Sequence, residues 1–530
     1  MQILDFIILV GYMIVIMYMG YALGKSNETE DDYFLAGKTL PWYAIGLSVG
    51  VTMISANSFI GGPGWGYTGG IMAAMVNITV PLSILFVTYT SLPVFYNAGV
   101  TTVYEYVNVR LGPKSRLLSV VIWLAQSLIL MGGFVYTPAL VLSKLTPIAF
   151  NMWVPIIVIL AIIYTAIGGI KAVVWTDAIQ ACILLVGLIF SIIYAVAIAP
   201  MSFGEMMNVA RDAGKLISFD LTFDFTTLNI WTCLIGGFAM WIGYFGFDQG
   251  QVQRYLTSKN MTNIKKAGIM SSIAMQLIYW ACFFLGVVFF VFYKNFEATL
   301  DFTNSNLIMT DFLLNYVPTG LLGLLLAATF AAAMSSIDSI LNSLTAVFTK
   351  DIYEPYISKK KGTPLSKTIM FSVIFGLIIV VFVYLGLGGN TKSILDTIAG
   401  YLSPFGALIT GIMISCIFIP RINDKGVFIG SIIAAICVFL VGRYFPPMHW
   451  LWTYAYGALI SIVFNYIFSL FFKDESQEKL KYTIQGASKD FADKVDDEGT
   501  SLAPWKMDKY GWIMLGIFVV QSIILLMIQA

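Results

Sequence analysis

Charge is scarce in this chain of 530 residues: Asp, Glu, Lys and Arg make up 11% of it. A soluble chain of that size needs far more to cover its surface, which argues against a water-soluble enzyme. Histidine is nearly missing. His449, beside Pro447 and Trp450, is the single one, and a lone loop histidine is more often structural than catalytic. Without others there is no metal cluster, and Ser48 in the G-x-S-x-G match Gly46–Gly50 has no credible base. Charge imbalance is missing too: a net charge of +1 gives no basic surface for nucleic acid. The five cysteines (Cys182, Cys233, Cys282, Cys416 and Cys437) all fall in apolar runs and read as small core hydrophobes, not as a disulfide set. The first apolar run, Ile3 to Leu23, lacks the basic start of a cleavable signal peptide and is long enough to span a bilayer.

What is abundant is apolar. Fifty-eight per cent of residues are hydrophobic, and with the 46 glycines the non-polar share reaches about two-thirds. Fourteen apolar segments follow one another: 3–24, 41–63, 71–97, 115–146, 152–170, 176–199, 229–250, 266–294, 319–349, 367–387, 394–420, 426–445, 449–472 and 508–529. At about 20 residues per crossing, this predicts an all-α polytopic membrane protein with about fourteen transmembrane helices. With the N-terminus outside, twenty-four of the 30 lysines and arginines fall in cytoplasmic loops, as the positive-inside rule requires. The expected setting is therefore the plasma membrane, with both termini extracellular. The polar stretch 473–507 reads as a solvated cytoplasmic linker without chemistry.

Two segments break the helical pattern. Segment 41–63 is crowded with Gly, Ser, Thr and Asn, and segment 229–250 carries glycines at 236, 237, 243, 246 and 250. Their starts lie five segments apart, so they run in opposite directions. Paired interrupted helices at matching positions predict inverted repeats around a midplane site; close packing through small residues is the plainer alternative. The expected organisation is a peripheral helix (1–24), a first five-helix repeat (41–199), a second (229–420), two peripheral helices (426–472), the linker, and a last helix (508–530).

Acidic residues at membrane depth usually line a pathway. Asp177 opens segment six, where an N-cap is the plainer role. Asp248 ends segment seven, six residues before Arg254, so a structural ion pair is the plainer reading there. Asp396 opens segment eleven. Asp338 lies in a hydroxyl run, with Ser335, Ser336, Ser339 and Ser343 on neighbouring turns. Hard cations take oxygen ligands, and a broken helix frees carbonyls. The serine face of segment nine against the unwound part of segment two would form a Na⁺ cage. Bonds from these serines back to the i−4 carbonyls are the alternative.

Six stretches then look familiar: DYFLAGKTLPWYAIGLSV (32–49), ISANSFIGGPGWGY (54–67), GGIKAVVWTDAIQ (168–180), FDQGQVQRYLTSK (247–259), FAAAMSSIDSILNSLTAVFTKDIY (330–353) and GYLSP (400–404). In order and spacing the chain resembles the solute:sodium symporter family from about residue 30 to 420. The resemblance implies a leucine-transporter-like core of two inverted five-helix repeats with broken helices, no enzymatic activity, and Na⁺ as coupling ion. It puts the main Na⁺ site on the carbonyls of Val51, Ile54 and Ala332 and the hydroxyls of Ser335 and Ser336. A second site would use Asp177, Ser335, Asp338 and Ser339. The inner gate tyrosine falls on Tyr244. Substrate positions fall on Ser58, Asn77, Trp241 and Asp396, a set unlike that of the galactose-binding member. Leu130 stands where sialic acid members hold a carboxylate with Arg.

Together these features predict a Na⁺-coupled importer of one small polar solute, a sugar or polyol being favoured over a vitamin, amino acid or monocarboxylate. A channel or solute sensor on the same scaffold is the rival class. The expected partners are the solute, Na⁺ and the lipid bilayer, with a monomer sufficient for transport and oligomers left open.

Overall fold

The computed structural model describes residues 2–25, 29–360, 362–386, 394–445, 447–473 and 477–529. Among these residues the architecture is helical, with one isolated bridge between Val495 and Ser501. Eleven helices are long and apolar enough to cross a bilayer, and three shorter apolar ones are Trp42–Val51, Phe150–Ile163 and Thr232–Phe247. The shorter three coincide with the second, fifth and seventh predicted segments.

Each of the three is interrupted for a local reason. The second stops at Val51 and resumes at Ala56. No glycine lies in the gap. Instead Thr52 Oγ1 donates to Ser48 O at 2.6 Å, Ile54 N–H donates to Val51 O at 2.7 Å, and Ser55 caps the next helix by accepting from Asn57 N–H at 3.1 Å. Side chains that bond nearby backbone compete with the helical ladder in this way. The fifth and sixth segments form one run, Phe150–Ile198, turned at Gly169 (φ 58°, ψ −166°), a conformation that glycine adopts without a Cβ clash. The seventh begins as a π-helical turn, Thr232–Gly237, continues as Phe238–Phe247, and breaks at Asp248 (φ −78°, ψ 130°) before Gln249–Leu256.

The glycines of the two interrupted segments pack helices rather than break them. A Cβ on Gly66 would lie 2.0 Å from Phe283 O, one on Gly64 would lie 2.2 Å from Ser305 O, and one on Gly236 would lie 2.6 Å from Leu451 O. Both readings of these segments therefore hold, at different residues. The helices are broken, but by hydroxyls and a capping aspartate.

Polar side chains buried at helix ends fix the bundle. Asp5, in the first helix, accepts from Gly320 and Gly323 N–H at 2.6 and 3.0 Å, satisfying orphan donors of the Leu321–Val347 helix. Arg116 pairs with Asp351 at 2.7 Å. His449 caps Trp450–Leu470 through Nδ1.

The stretch 473–507 differs from the expected solvated linker. It carries the helix Ile484–Asp490, with Ile484 and Ala487 buried. Asp497 pairs with Lys259 at 2.6 Å, Glu498 pairs with Lys266 at 2.6 Å, and Asp496 accepts from Thr262 N–H at 2.7 Å. Trp505 N–H donates to Tyr89 O at 2.9 Å. This strap fastens to the Met261–Phe292 helix because its acidic residues meet the basic first turns there.

Candidate functional site

The break in the second segment faces the serine run of Leu321–Val347. Val51, Ile54, Ala332, Ser335 and Ser336 are all fully buried. Ser336 Oγ lies 3.0 Å from Thr52 O and 3.3 Å from Ala332 O; Ser335 Oγ lies 3.2 Å from Ala332 O. The long-range bond to Thr52 joins the two elements across 284 positions of chain. Back-bonding and a bond across to the break thus coexist at Ser336, whose hydroxyl lies near both Ala332 O and Thr52 O.

Next to it, Asp177 and Ser339 come together around a residue the sequence reading paired differently. Arg254 is fully buried and bonds Asp177 Oδ2 at 3.1 Å and Ser48 Oγ at 2.7 Å, and it also reaches Ser339 Oγ and Gly250 O. Ser48 Oγ in turn donates to Asp177 Oδ2 at 2.6 Å. The ion pair expected between Arg254 and Asp248 is therefore corrected to Arg254–Asp177. The N-cap role considered for Asp177 is corrected too, since it sits inside Phe150–Ile198. Asp248 instead accepts from Trp123 Nε1 and Gly250 N–H, both at 2.9 Å, which ends one helix and caps the next. Asp177 Oδ1 has no hydrogen-bond partner among the described residues. Asp338 Oδ1 lies 3.2 Å from Ser339 Oγ.

Beside the break lies a chamber with about 770 Å³ of atom-free space. Ser58, Asn77 and Trp241 line it, as the sequence reading placed them, together with Asn57, Tyr279 and Leu130. Two smaller cavities share its walls and extend past Tyr244 to Asp248, Gln126 and Ser343. Tyr244 OH accepts from Gln251 Nε2 at 2.6 Å. Asp396 belongs to the Ile394–Phe418 helix, but its side chain lies outside the described residues.

Met53 joins the two parts of the site. Its backbone sits in the break, its side chain lines all three cavities, and its carbonyl accepts from Tyr279 OH at 3.3 Å. Any shift of the break therefore moves a chamber wall. Sequence reasoning missed Asn57, Ser48 and Arg254. The first two lie within or beside motifs that carried the resemblance, so proximity to Ser58 and to the Gly46–Gly50 run was the available signal. Arg254 lies in the 247–259 motif too, but its pairing gave no local signal, because its partner is 77 positions away.

Comparison with known proteins agrees with this fold. The profile of the sodium:solute symporter family matches residues 33–434. The chain is 30% identical to the sodium/sialic acid symporter NanT of Aliivibrio fischeri, over 89% of this chain and 94% of that one. It is 26% identical to the human sodium-coupled monocarboxylate transporter 1, over 84% of this chain and 74% of that one. A solved structure of a Na⁺-coupled sialic acid symporter, substrate-bound and outward-open, superposes with a TM-score of 0.80 at 26% identity, covering 89% of this chain and 99% of that one. The Mhp1 nucleobase-cation symporter shares the fold at a TM-score of 0.53 and 12% identity, over 86% of this chain and 98% of that one. This chain, a membrane transporter and not an enzyme, belongs to the sodium:solute symporter family.

Proposed function

We propose that the protein imports one small uncharged organic solute by Na⁺ symport, working by alternating access in the plasma membrane with both termini outside. Sugars and polyols, favoured by the sequence, meet the charge requirement. The observation that carries the reading is the composition of the chamber. Among the described residues that line it there is no Lys, Arg or His, and Leu130 occupies the wall where an Arg would hold a carboxylate. The family relatives that carry sialic acid and monocarboxylates favour a second reading, an anionic solute.

In this reading Na⁺ binds the carbonyls of Val51, Ile54 and Ala332 with the hydroxyls of Ser335 and Ser336. These neutral oxygens suit a hard monovalent cation, and their burial supports the assignment. A second ion between Asp177 and Asp338 is supported by their burial and by Asp177 Oδ1, which is unpartnered among the described residues although Asp177 pairs with Arg254 through Oδ2. Ordering of the break by the ion would set Met53 and Ser58, and so complete the solute chamber. The two broken segments, at Thr52–Ser55 and at Asp248, would be the first helices of two inverted repeats, 41–199 and 229–420. Release would pass Tyr244.

Uptake into proteoliposomes tests this reading. One Na⁺ entering across about 100 mV with a tenfold gradient gains roughly 3.7 kcal/mol. That supports about 500-fold accumulation of a neutral solute. Solute that only equilibrates, with no dependence on the Na⁺ gradient, would indicate a channel and refute symport.

A further inference from the structure

Most polar groups on the chamber wall are already committed. Trp241 Nε1 donates to Val76 O at 2.9 Å, and Tyr279 OH donates to Met53 O at 3.3 Å. Ser58 Oγ lies 3.3 Å from Tyr279 OH, and Ser55 Oγ accepts from Asn57 N–H. Two fully buried polar atoms of the lining are not committed. Asn57 Oδ1 and Asn77 Nδ2 have no partner among the described residues, although Asn57 is only 3% and Asn77 only 2% exposed. One is an acceptor and the other a donor, and both residues line the chamber. Aromatic residues line it with them: Trp65, Phe134, Trp241, Tyr279, Phe283 and Tyr454.

Such a wall treats uncharged solutes unequally. A polyol would bury many hydroxyls against rings that cannot pair with them, each stranded hydroxyl weakening binding about tenfold. A flat molecule buries its faces against the rings and needs only as many hydrogen bonds as it has polar atoms. A carboxamide has one strong acceptor and one N–H edge. Its carbonyl matches the donor Asn77 Nδ2 and its N–H the acceptor Asn57 Oδ1 in hydrogen-bond type, and neither group ionises near neutral pH. Ligand pockets of this kind combine apolar walls with a few convergent polar groups.

Resting on the symport reading, we infer that the solute is a compact ring-bearing molecule with one carboxamide-like group, and that Asn57 and Asn77 are its specificity-determining residues. Asn57 sits in the first turn after the break, so a solute held there would also brace the half-helix that Ser55 caps.

The test uses the full-length chain in proteoliposomes with an inward Na⁺ gradient and four radiolabelled probes: nicotinamide, nicotinate, myo-inositol and D-galactose. Nicotinamide and nicotinate share a ring and differ in charge; the other two are polyhydroxylated. The expected result is Na⁺-driven initial uptake of nicotinamide at least tenfold above the other three. Asn57→Leu and Asn77→Leu should each raise its half-saturating concentration about tenfold while the Na⁺ activation curve stays put. Asn57→Ala, which removes the acceptor without adding bulk, should raise the half-saturating concentration as the leucine variant does and guards against misfolding in that variant; thermal unfolding confirms that each variant folds. Preferred uptake of inositol, galactose or nicotinate would overturn the inference and leave symport standing. Nicotinamide recognised by both asparagines but moved without regard to Na⁺ would overturn symport and leave the recognition standing. Nicotinamide uptake no greater than in protein-free vesicles, or unaltered in folded Asn57 and Asn77 variants, overturns the inference.

Discussion

Ser336→Ala isolates the hinge between the two broken and unbroken elements. The hydroxyl is fully buried and lies 3.0 Å from Thr52 O, in a backbone stretch without a helical ladder. Removing it leaves that carbonyl without this donor, which for a buried group costs about 1–3 kcal/mol. Ala restores a few tenths of a kcal/mol as a better helix former, so most of that cost should appear as lost stability without Na⁺. The same change removes one of the five oxygens proposed for Na⁺. At about 1.4 kcal/mol per tenfold, the half-saturating Na⁺ concentration should rise about tenfold or more, with maximal uptake largely kept at saturating Na⁺. The assay is initial solute uptake against Na⁺ concentration in proteoliposomes, paired with thermal unfolding in detergent with and without Na⁺. Wild-type Na⁺ activation in a folded Ser336→Ala protein would refute the cage between residues 51–54 and 332–336. Equal loss of stability with and without Na⁺ would make Ser336 a packing residue.

Three other outcomes follow from the geometry. Arg254→Met should destabilise the protein by about 3–5 kcal/mol, because breaking a buried pair strands the Asp177 carboxylate. Arg254→Lys, which keeps the charge but not the fork, should lose less, and a Met variant as stable as the Lys variant in thermal unfolding would refute the pairing. Gly66→Ala should fail to yield folded, monodisperse protein, since its Cβ would sit 2.0 Å from Phe283 O; a folded variant of normal stability would show that the helices can separate cheaply. In the strap, the bond from Lys259 holds the Asp497 carboxyl below its ordinary range, and the bond to Asp497 raises Lys259. The contact then contributes above the ordinary Asp range and is lost as pH falls through the depressed value; at the other end it is lost as pH rises through the raised Lys value. Hydrogen exchange of residues 494–500 should accordingly be flat, after correction for the intrinsic rate, between about pH 5 and 9. Asp497→Asn should raise that exchange, and a strap that loosens at mildly acidic pH would contradict the assignment.

Hydropathy and the lysine and arginine distribution are local properties of the chain. They were enough for an all-helical membrane protein of many spans, whereas the cation site proposed on the serine run came from the hydroxyl pattern and the family resemblance. A buried helix must be apolar whatever it packs against, so each span announces itself. The residues that break a helix or balance a charge do so through partners elsewhere. The glycines of segment 41–63 invited a break at glycine, but only the fold shows that Gly46 and Gly50 press against Ala267 and Ser271. The chain actually breaks at Thr52–Ser55, where hydroxyls capture backbone groups. In the same way, Arg254 had Asp248 six residues away in sequence, yet its side chain turns to Asp177, Ser48 and Ser339 on three other stretches of chain. Asn57 became visible as a recognition residue only once every neighbour that could have satisfied its oxygen was placed. Sequence decides which polar groups enter the membrane, whereas tertiary structure decides which of them remain unpaired there.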